Sequence, residues 1–356
     1  MIDCSIYDFK RSQLELLAKD RDHLRLHPDL KWLFFEITHA CNLHCAHCGS
    51  FCEAKGENLS VKSINSVLQS IPSAKPMICL TGGEPLLHSD FFSIAEIIIE
   101  NGFQWGMTSN GTLVSPTIAR KLRDYSMSTV SVSLDGLETK HDIFRQKKGS
   151  WRKAVEGIKN LQEAGFDPQV TTVVHADNID QLNDLYDFLR KLGIGSWRVI
   201  NVEPIGRACE SKKILLTKKQ FGNLLGFIRT KRFDQSNPME VTYGCSHYLG
   251  TEMERMVRNN YFICGAGIYV ASIRSNGDIC ACLDIENLPL LVQGNINSDD
   301  FWEVWCQRFL AFRSDRTLNS ATCCNCEDRW ICGGDSAHTW DWKTNNPLLC
   351  WKKGLI

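Results

Sequence analysis

The stretch Cys41-Asn42-Leu43-His44-Cys45-Ala46-His47-Cys48 closely follows the apolar run Trp32-Leu33-Phe34-Phe35-Glu36-Ile37. The apolar run reads as a buried strand ending near Thr38, with a polar loop behind it. Three thiols at a C-x3-C-x2-C spacing therefore sit on a loop at the C-terminal end of a strand. In α/β barrels that is the end where chemistry collects. Thiolates are the usual ligands of iron–sulfur clusters. Three of them leave one iron of a four-iron cluster without a protein ligand, open to a substrate or cofactor. The competing readings of the same residues are a zinc site or buried apolar cysteines. Zinc is the poorer match, because the loop supplies three ligands and no C-x2-C partner lies nearby.

C-x3-C-x2-C after a first strand resembles the signature of the radical S-adenosylmethionine (radical SAM) enzymes. The resemblance implies that Cys41, Cys45 and Cys48 bind a 4Fe-4S cluster whose open iron is chelated by SAM. An electron from that cluster would cleave the sulfonium and release a 5′-deoxyadenosyl radical. One departure is visible: the family usually places an aromatic residue before the third cysteine, and here it is His47. An imidazole can still stack on adenine.

The chain has 356 residues, is 43% hydrophobic and carries a net charge of −1. These values describe a globular protein of one large or two ordinary domains. Near-neutrality gives no electrostatic case for nucleic acid as a partner. No apolar run approaches a membrane span, and residues 1–31 contain no signal-peptide core. A cytoplasmic location is expected. Seventeen cysteines in a reducing compartment argue for metal ligation over disulfides.

Residues 9–24 carry spaced leucines among charges and predict a lead-in helix. Many peptide-modifying relatives hold a leader-binding winged helix at this point, and about thirty residues are too few for one. From Trp32 onward, strands are expected at 32–38, 77–81, 104–109, 129–134, 169–174 and 196–202. Helices fall between them. Ser60 and Asp90 are candidate N-caps, and Asn101-Gly102, Gly165 and Gly193 are stops. Six strand–helix units predict an α/β fold with a parallel sheet. The resemblance makes it a partial (β/α)6 TIM barrel followed by a small cysteine-rich iron–sulfur domain. The expected segments are 1–30, 31–235 and 236–356.

Loops after the strands supply further candidates. Thr81-Gly82-Gly83-Glu84-Pro85 offers close backbone approach and a carboxylate. It matches the family's GGE motif, which implies that Gly82, Gly83 and Glu84 hold the SAM amino group. Ser109-Asn110-Gly111 is similar to the turn that contacts the SAM ribose or carboxylate. Ser133 and Arg145 correspond to the serine and arginine that hold the carboxylate, although Arg145 also reads as a surface residue. Glu203-Pro204-Ile205-Gly206 lies where relatives pack backbone against adenine.

Beyond Pro238 the alternation fades and cysteines concentrate, the composition of a segment stapled by metal. The arrangement resembles the SPASM extension, which binds two auxiliary 4Fe-4S clusters. The resemblance assigns Cys323, Cys326, Cys332 and Cys350 to the distal cluster, and Cys264 and Cys282 to the nearer one. Two family cysteines are missing. Ser336 stands where one is expected, and no cysteine lies just before Cys264; the nearest upstream is Cys245. The nearer cluster could take Cys245, with Asp335, Ser336 or His338 as a further ligand, or keep an open iron, or be absent. A zinc ribbon built on Cys323 and Cys326 is the alternative. Cys280 and Cys324 have no assigned role. Cys4, Cys52, Cys79, Cys209 and Cys306 read as packing residues.

The resemblance implies a radical SAM oxidoreductase or maturase acting on a peptide or protein substrate, through crosslinking, thioether formation, epimerisation or oxidation. An external electron donor such as a flavodoxin or ferredoxin is its expected partner. Sulfatase maturases carry an aspartate directly after the cysteine corresponding to Cys282, whereas this chain has Leu283 and then Asp284. The run from Gly333 to Trp342 resembles a subgroup encoded beside small lipoproteins or short peptides. Trp340 and Trp342 also fit plain core packing. A radical SAM dehydrogenase of a small molecule is a second reading. A non-catalytic iron–sulfur carrier is a third, and the ammonium-binding GGEP loop argues against it.

Overall fold

The structure, a computed structural model, describes residues 4–50, 52, 53, 55–72, 75–244 and 247–354. Helix α1 (Cys4–Leu26) leads into strand β1 (Trp32–Thr38). Then come α2 (Val61–Ser70), β2 (Met77–Gly82), α3 (Phe91–Glu100), β3 (Trp105–Ser109), α4 (Pro116–Asp124) and β4 (Thr129–Ser133). The barrel continues with α5 (Glu138–Phe144), α6 (Ser150–Glu163), β5 (Gln169–Val174), α7 (Leu182–Lys191), β6 (Ser196–Asn201) and α8 (Lys218–Arg232). These six strands pair in parallel, in sequence order.

Local chemistry explains the element ends. Ser60 caps α2 by accepting from Ser63 N, as expected. Asp90 occupies the N-cap of α3, but its side chain makes no capping bond; its backbone N–H donates to His88 Nδ1 instead. Gly102, Gly165 and Gly193 follow α3, α6 and α7 at positive φ, closing those helices. In β1 the alternation of side chains buries Leu33, Phe35 and Ile37 completely in the main core. Each contributes about 1.5–3 kcal/mol by burial. Glu36 and Thr38 fall on the opposite face.

The cysteine-rich segment contributes α9 (Gly250–Val257), α10 (Phe301–Gln307), α11 (Leu310–Arg313) and α12 (Arg329–Cys332). Its strands are β7 (Glu240–Tyr243), β8 (Val270–Ile273), β9 (Asp278–Cys280) and β10 (Gly294–Asn295). A small hairpin pairs β11 (Trp340–Asp341) with β12 (Asn346–Pro347). The sheet does not stop at the expected boundary near residue 235. Strand β7 adds to β6 and β8 adds to the other edge at β1, both in parallel. Strands β9 and β10 continue antiparallel, so one ten-stranded sheet runs through both segments. The open barrel offers two unpaired edges, and the apolar Val241, Tyr243, Ala271 and Ile273 bury themselves by covering them.

Helix α1 also reaches the cysteine-rich end. The Arg21 guanidinium donates to the carbonyls of Ile331 and Trp330, each at 2.9 Å. These are carbonyls at the end of α12, where a cation is favoured.

Candidate active site and cluster ligands

The loop after β1 is held from three sides. Ala46 N donates to Phe144 O and His44 N to Arg145 O, tying it to the end of α5. From beyond β6, Arg207 donates to the carbonyls of Cys45 and Cys52, and its backbone N–H to Cys48 O. Gly206 makes this approach possible: its φ is +53°, and a Cβ there would stand 2.2 Å from Cys48 O. From β3, Asn110 donates to Asn42 Oδ1, and Asn42 donates to Thr112 Oγ1, both at 2.8 Å.

A chamber of about 330 Å³ opens at this end of the barrel. Its walls include the three loop cysteines Cys41, Cys45 and Cys48, with Gly82, Gly83, Ser109, Ser133 and Arg145. Residues as far apart in the chain as Cys41 and Arg145 thus meet in one space. Among the described residues, no three His, Cys, Asp or Glu side chains converge tightly enough for a single metal ion; the loop cysteines stand around a chamber.

Glu84 is not on that wall. It is completely buried. Its Oε1 accepts from Ser109 Oγ and its Oε2 from Asn110 N, each at 2.8 Å. Burial pushes its carboxyl up to about 7 despite these donors. Glu84 is a strut between the loops after β2 and β3, and Gly82 and Gly83 are the part of the motif that faces the chamber. A Cβ on Gly83 would lie 2.2 Å from Ala40 O, so only glycine lets this turn pack on the cysteine loop.

Arg145 is buried, not a surface residue. Its Nε donates to Asp135 Oδ2 at 2.6 Å and its Nη1 to Cys45 Sγ at 3.6 Å. Burial pushes the Asp135 carboxyl up, but the guanidinium outweighs it and holds the group at about 2. The other Asp135 oxygen accepts from Val173 N, so a fixed carboxylate aims the arginine. His47 lines the chamber, with one ring face covered: it stacks on Phe144 at 4.5 Å, and Phe144 stacks on His175 at 3.9 Å. Burial, helped by Arg145, drives the His47 imidazole down to about 3, which keeps it neutral.

Cys52, expected to be a packing residue, is buried on the wall of the same chamber. The interaction between the two neighbouring thiols holds that of Cys48 low and pushes that of Cys52 up. Cys209 and Cys306 are exposed and so are not packing residues either; Cys79 is half-buried. Cys280 is buried and Cys324 exposed. Cys245 lies outside the described residues, as does the side chain of Cys4.

The later cysteines fall into two groups. Cys323, Cys326, Cys332 and Cys350 line one cavity of about 20 Å³ together with Tyr248 and Asp335. Cys264 Sγ accepts from Ala337 N at 3.3 Å, and burial pushes the Cys282 thiol up against the opposing effect of the neighbouring His338 ring. Trp340 and Trp342 pack close by, with the Arg316 guanidinium 5.0 and 5.8 Å from their rings.

A buried chain of charged groups connects these sites. His338 Nε2 is 2.7 Å from Glu203 Oε2, His247 Nε2 is 3.1 Å from Glu203 Oε1, and His247 Nδ1 is 3.4 Å from Asp335 Oδ2. Burial alone would push Glu203 up, yet the two imidazoles hold it far below the carboxylate range. Burial would likewise lower His247, and Asp335 with Glu203 raises it to about 9. None of this network is visible in sequence, because Glu203, His247 and His338 are far apart and share no motif. A second chamber of about 970 Å³ adjoins the first at Ser50, Asp284 and His338.

Three loop cysteines facing a glycine-lined chamber, with further cysteines gathered at a second site, define a cluster-dependent enzyme of the SAM-cleaving class. The profile of the Radical SAM superfamily matches residues 35–189, and that of the SPASM iron–sulfur cluster-binding domain matches residues 264–327. The chain is 30% identical to the mycofactocin maturase MftC of Mycolicibacterium smegmatis, covering 85% of this chain and 76% of that protein. It is 26% identical to the AdoMet-dependent heme synthase of Nitratidesulfovibrio vulgaris, covering 91% and 93%. The chain belongs to the radical SAM superfamily and carries a SPASM domain. Its fold is similar to that of Streptococcus suis SuiB bound to its precursor peptide SuiA, with a TM-score of 0.70, 20% identity and coverage of 86% and 72%. It is also similar to anSMEcpe bound to AdoMet and a peptide, with a TM-score of 0.71, 17% identity and coverage of 92% and 94%. The cofactors are 4Fe-4S clusters and SAM. The donor set fits them: thiols, a glycine-lined wall and a fixed arginine meet in one chamber, and four more thiols share one cavity. Among the described residues, no helix is long and apolar enough to cross a membrane.

Proposed function

We propose that this enzyme modifies a peptide or protein side chain, and that its substrate enters through the larger chamber. When bound, the cluster and SAM supply a 5′-deoxyadenosyl radical that takes hydrogen from a substrate. Cys41, Cys45 and Cys48 would hold that cluster. The Gly82-Gly83 backbone, Ser109, Ser133 and Arg145 would orient SAM, with Glu84 and Asp135 fixing them from behind. Cys323, Cys326, Cys332 and Cys350 would hold the distal cluster. Cys264 and Cys282, with Cys245 as a further candidate, would hold the nearer one.

The observation that carries the substrate class is the charge of the larger chamber. Its walls present Glu36, Glu57, Asp284, Glu286 and Asp341. The cationic side chains there are Arg274, the exposed Lys343, which is 3.9 Å from Glu286, and His338, whose imidazole Glu203 holds well above its ordinary value despite burial. Glu36 Oε1 is buried without a hydrogen-bond partner. An acidic chamber suits a substrate rich in N–H donors or positive charge. The volume and the two tryptophans fit a short stretch of chain. MftC and the peptide-bound neighbours support the same reading.

A second reading is oxidation of a tetrapyrrole, favoured by the length of the alignment with heme synthase. The acidic walls weigh against a ring bearing several carboxylates. The test is anaerobic turnover with SAM and dithionite, offering either a pool of short Lys- and Arg-containing peptides or iron coproporphyrin III. A mass change in a peptide, with 5′-deoxyadenosine above the substrate-free level, supports the proposal. Turnover of the porphyrin alone would overturn it.

A further inference from the structure

We propose that Glu36 selects the substrate: its free carboxylate oxygen Oε1 takes an ammonium group, of a lysine side chain or a peptide N-terminus, at the wall of the larger chamber. The proposal rests on the reading that this chamber receives a peptide.

Glu36 reaches the wall because side chains alternate along β1. Leu33, Phe35 and Ile37 enter the main core, and Glu36 falls on the other face. Strand β8 pairs with this edge of the barrel and brings Ser275, just beyond its end, to the same place. Ser275 N and Oγ donate to Glu36 Oε2 at 3.1 and 3.2 Å. One carboxylate oxygen is thus fixed by a residue 239 positions away. The other, Oε1, is buried with no hydrogen-bond partner, and Glu36 borders the chamber of about 970 Å³.

The other acids of the wall differ. Glu57, Asp284 and Glu286 are exposed, and Asp341 is half-buried. Asp341 already accepts from Lys343 N and Thr344 Oγ1. Glu36 is 2% exposed, so water screens its charge least and attraction to a cation is strongest there. A buried carboxylate oxygen without a donor is costly, and an arriving cation removes that cost. The cations of the chamber are committed elsewhere. His338 lies 2.7 Å from Glu203 and Lys343 lies 3.9 Å from Glu286. Arg274 Nη2 donates to the carbonyls of Leu283 and Ile285 at 3.2 and 2.7 Å.

The geometry also separates the two basic side chains of a peptide. A guanidinium fork is matched by a carboxylate that offers both oxygens. Glu36 offers one, which suits the point charge of an ammonium. Trp342 on the same wall supplies apolar surface for the stem of a lysine.

The test is anaerobic calorimetry on the reconstituted, SAM-loaded enzyme. The probes are capped tripeptides with lysine, Nε-acetyl-lysine or arginine at the centre, and an uncapped alanine tripeptide amide. The expected result is saturable binding of the lysine probe, weaker binding of the arginine probe, and a loss of about ten- to a hundred-fold on acetylation. Glu36→Gln keeps the shape of the side chain and an oxygen for Ser275. It should bind the lysine probe about ten- to a hundred-fold more weakly and leave the acetylated probe unchanged. A Glu36-dependent preference for the uncapped alanine probe also supports the proposal, with the N-terminal amine as the group taken. Equal loss of the lysine and acetylated probes in Glu36→Gln would show a structural brace only and overturn the proposal. So would ammonium binding that Glu36→Gln leaves intact, or no binding of either ammonium probe. Because lysine and acetyl-lysine are compared in the parent, a misfolded variant cannot hide a failure. Peptide turnover that persists in any of these failures overturns the role of Glu36 and leaves the peptide reading standing. Turnover of iron coproporphyrin III alone overturns the peptide reading, and the proposal with it.

Discussion

Arg145 Nε lies 2.6 Å from Asp135 Oδ2, and both side chains are buried beneath the chamber of the loop cysteines. The pair fixes one guanidinium nitrogen on the carboxylate and turns another toward Cys45 Sγ. Removing one partner of such a pair leaves a buried charge uncompensated. Asp135→Asn should cost about 3–5 kcal/mol, measured by denaturant unfolding of the apo-protein. A loss below about 1 kcal/mol, the range of an exposed pair, would show that the pair is not buried in solution.

The loop cysteines can be tested directly. Cys45→Ala should abolish 5′-deoxyadenosine formation from SAM in the reconstituted, reduced protein. Product formation at the parent rate would remove the proposed cluster from this loop.

The distal site should be separable from that chemistry. Cys323→Ala with Cys326→Ala should lower bound iron by about four per chain. Slow SAM cleavage without substrate should survive, because the loop chamber shares no lining residue with the distal cavity. Loss of cleavage together with the iron would mean that the two sites do not form independently.

Gly206→Ala tests the brace behind the cysteine loop. The left-handed conformation alone costs a non-glycine residue about 1–2 kcal/mol. The new Cβ would also meet Cys48 O at 2.2 Å and push the loop away. The expected outcome is a lower unfolding midpoint and less iron retained at the loop. Gly149→Ala, at φ +81° and with nothing within 4 Å of its Cβ, is the matched control.

Glu84 gives a pH signature. Its folded carboxyl titrates at about 7 against an ordinary value of 4.5. Between those values the folded state keeps a proton that the unfolded chain has released, so stability falls as pH rises through this window. The full effect is of order 3 kcal/mol. Apo-protein stability measured from pH 4.5 to 8 should fall less steeply in Glu84→Gln. Parallel curves for the two proteins would assign the slope to other groups.

The six barrel strands were legible because each is a short apolar or alternating run bounded by turn residues, and Ser60, Gly165 and Gly193 mark helix ends by their own chemistry. The loop cysteines after β1, and Gly82 and Gly83 at the end of β2, were also legible, since close spacing in the chain places each set on its own turn. Asp90 shows the limit of that logic: it stands at the N-cap position, yet its side chain is not used.

What the sequence determined by itself was the α/β alternation and the cysteine motifs, whose periodicity and spacing are local. Tertiary structure alone decided that Glu84 is a strut, that Asp135 aims Arg145, and that Cys52 joins the loop thiols. It alone joined Glu203 to His247 and His338 across 44 and 135 positions of chain. It also decided that β7 and β8 extend the barrel sheet from both edges. Hydrogen bonds and ion pairs depend on distance in space, and burial sets their strength, so residues far apart in the chain reveal these roles only once the fold brings them together.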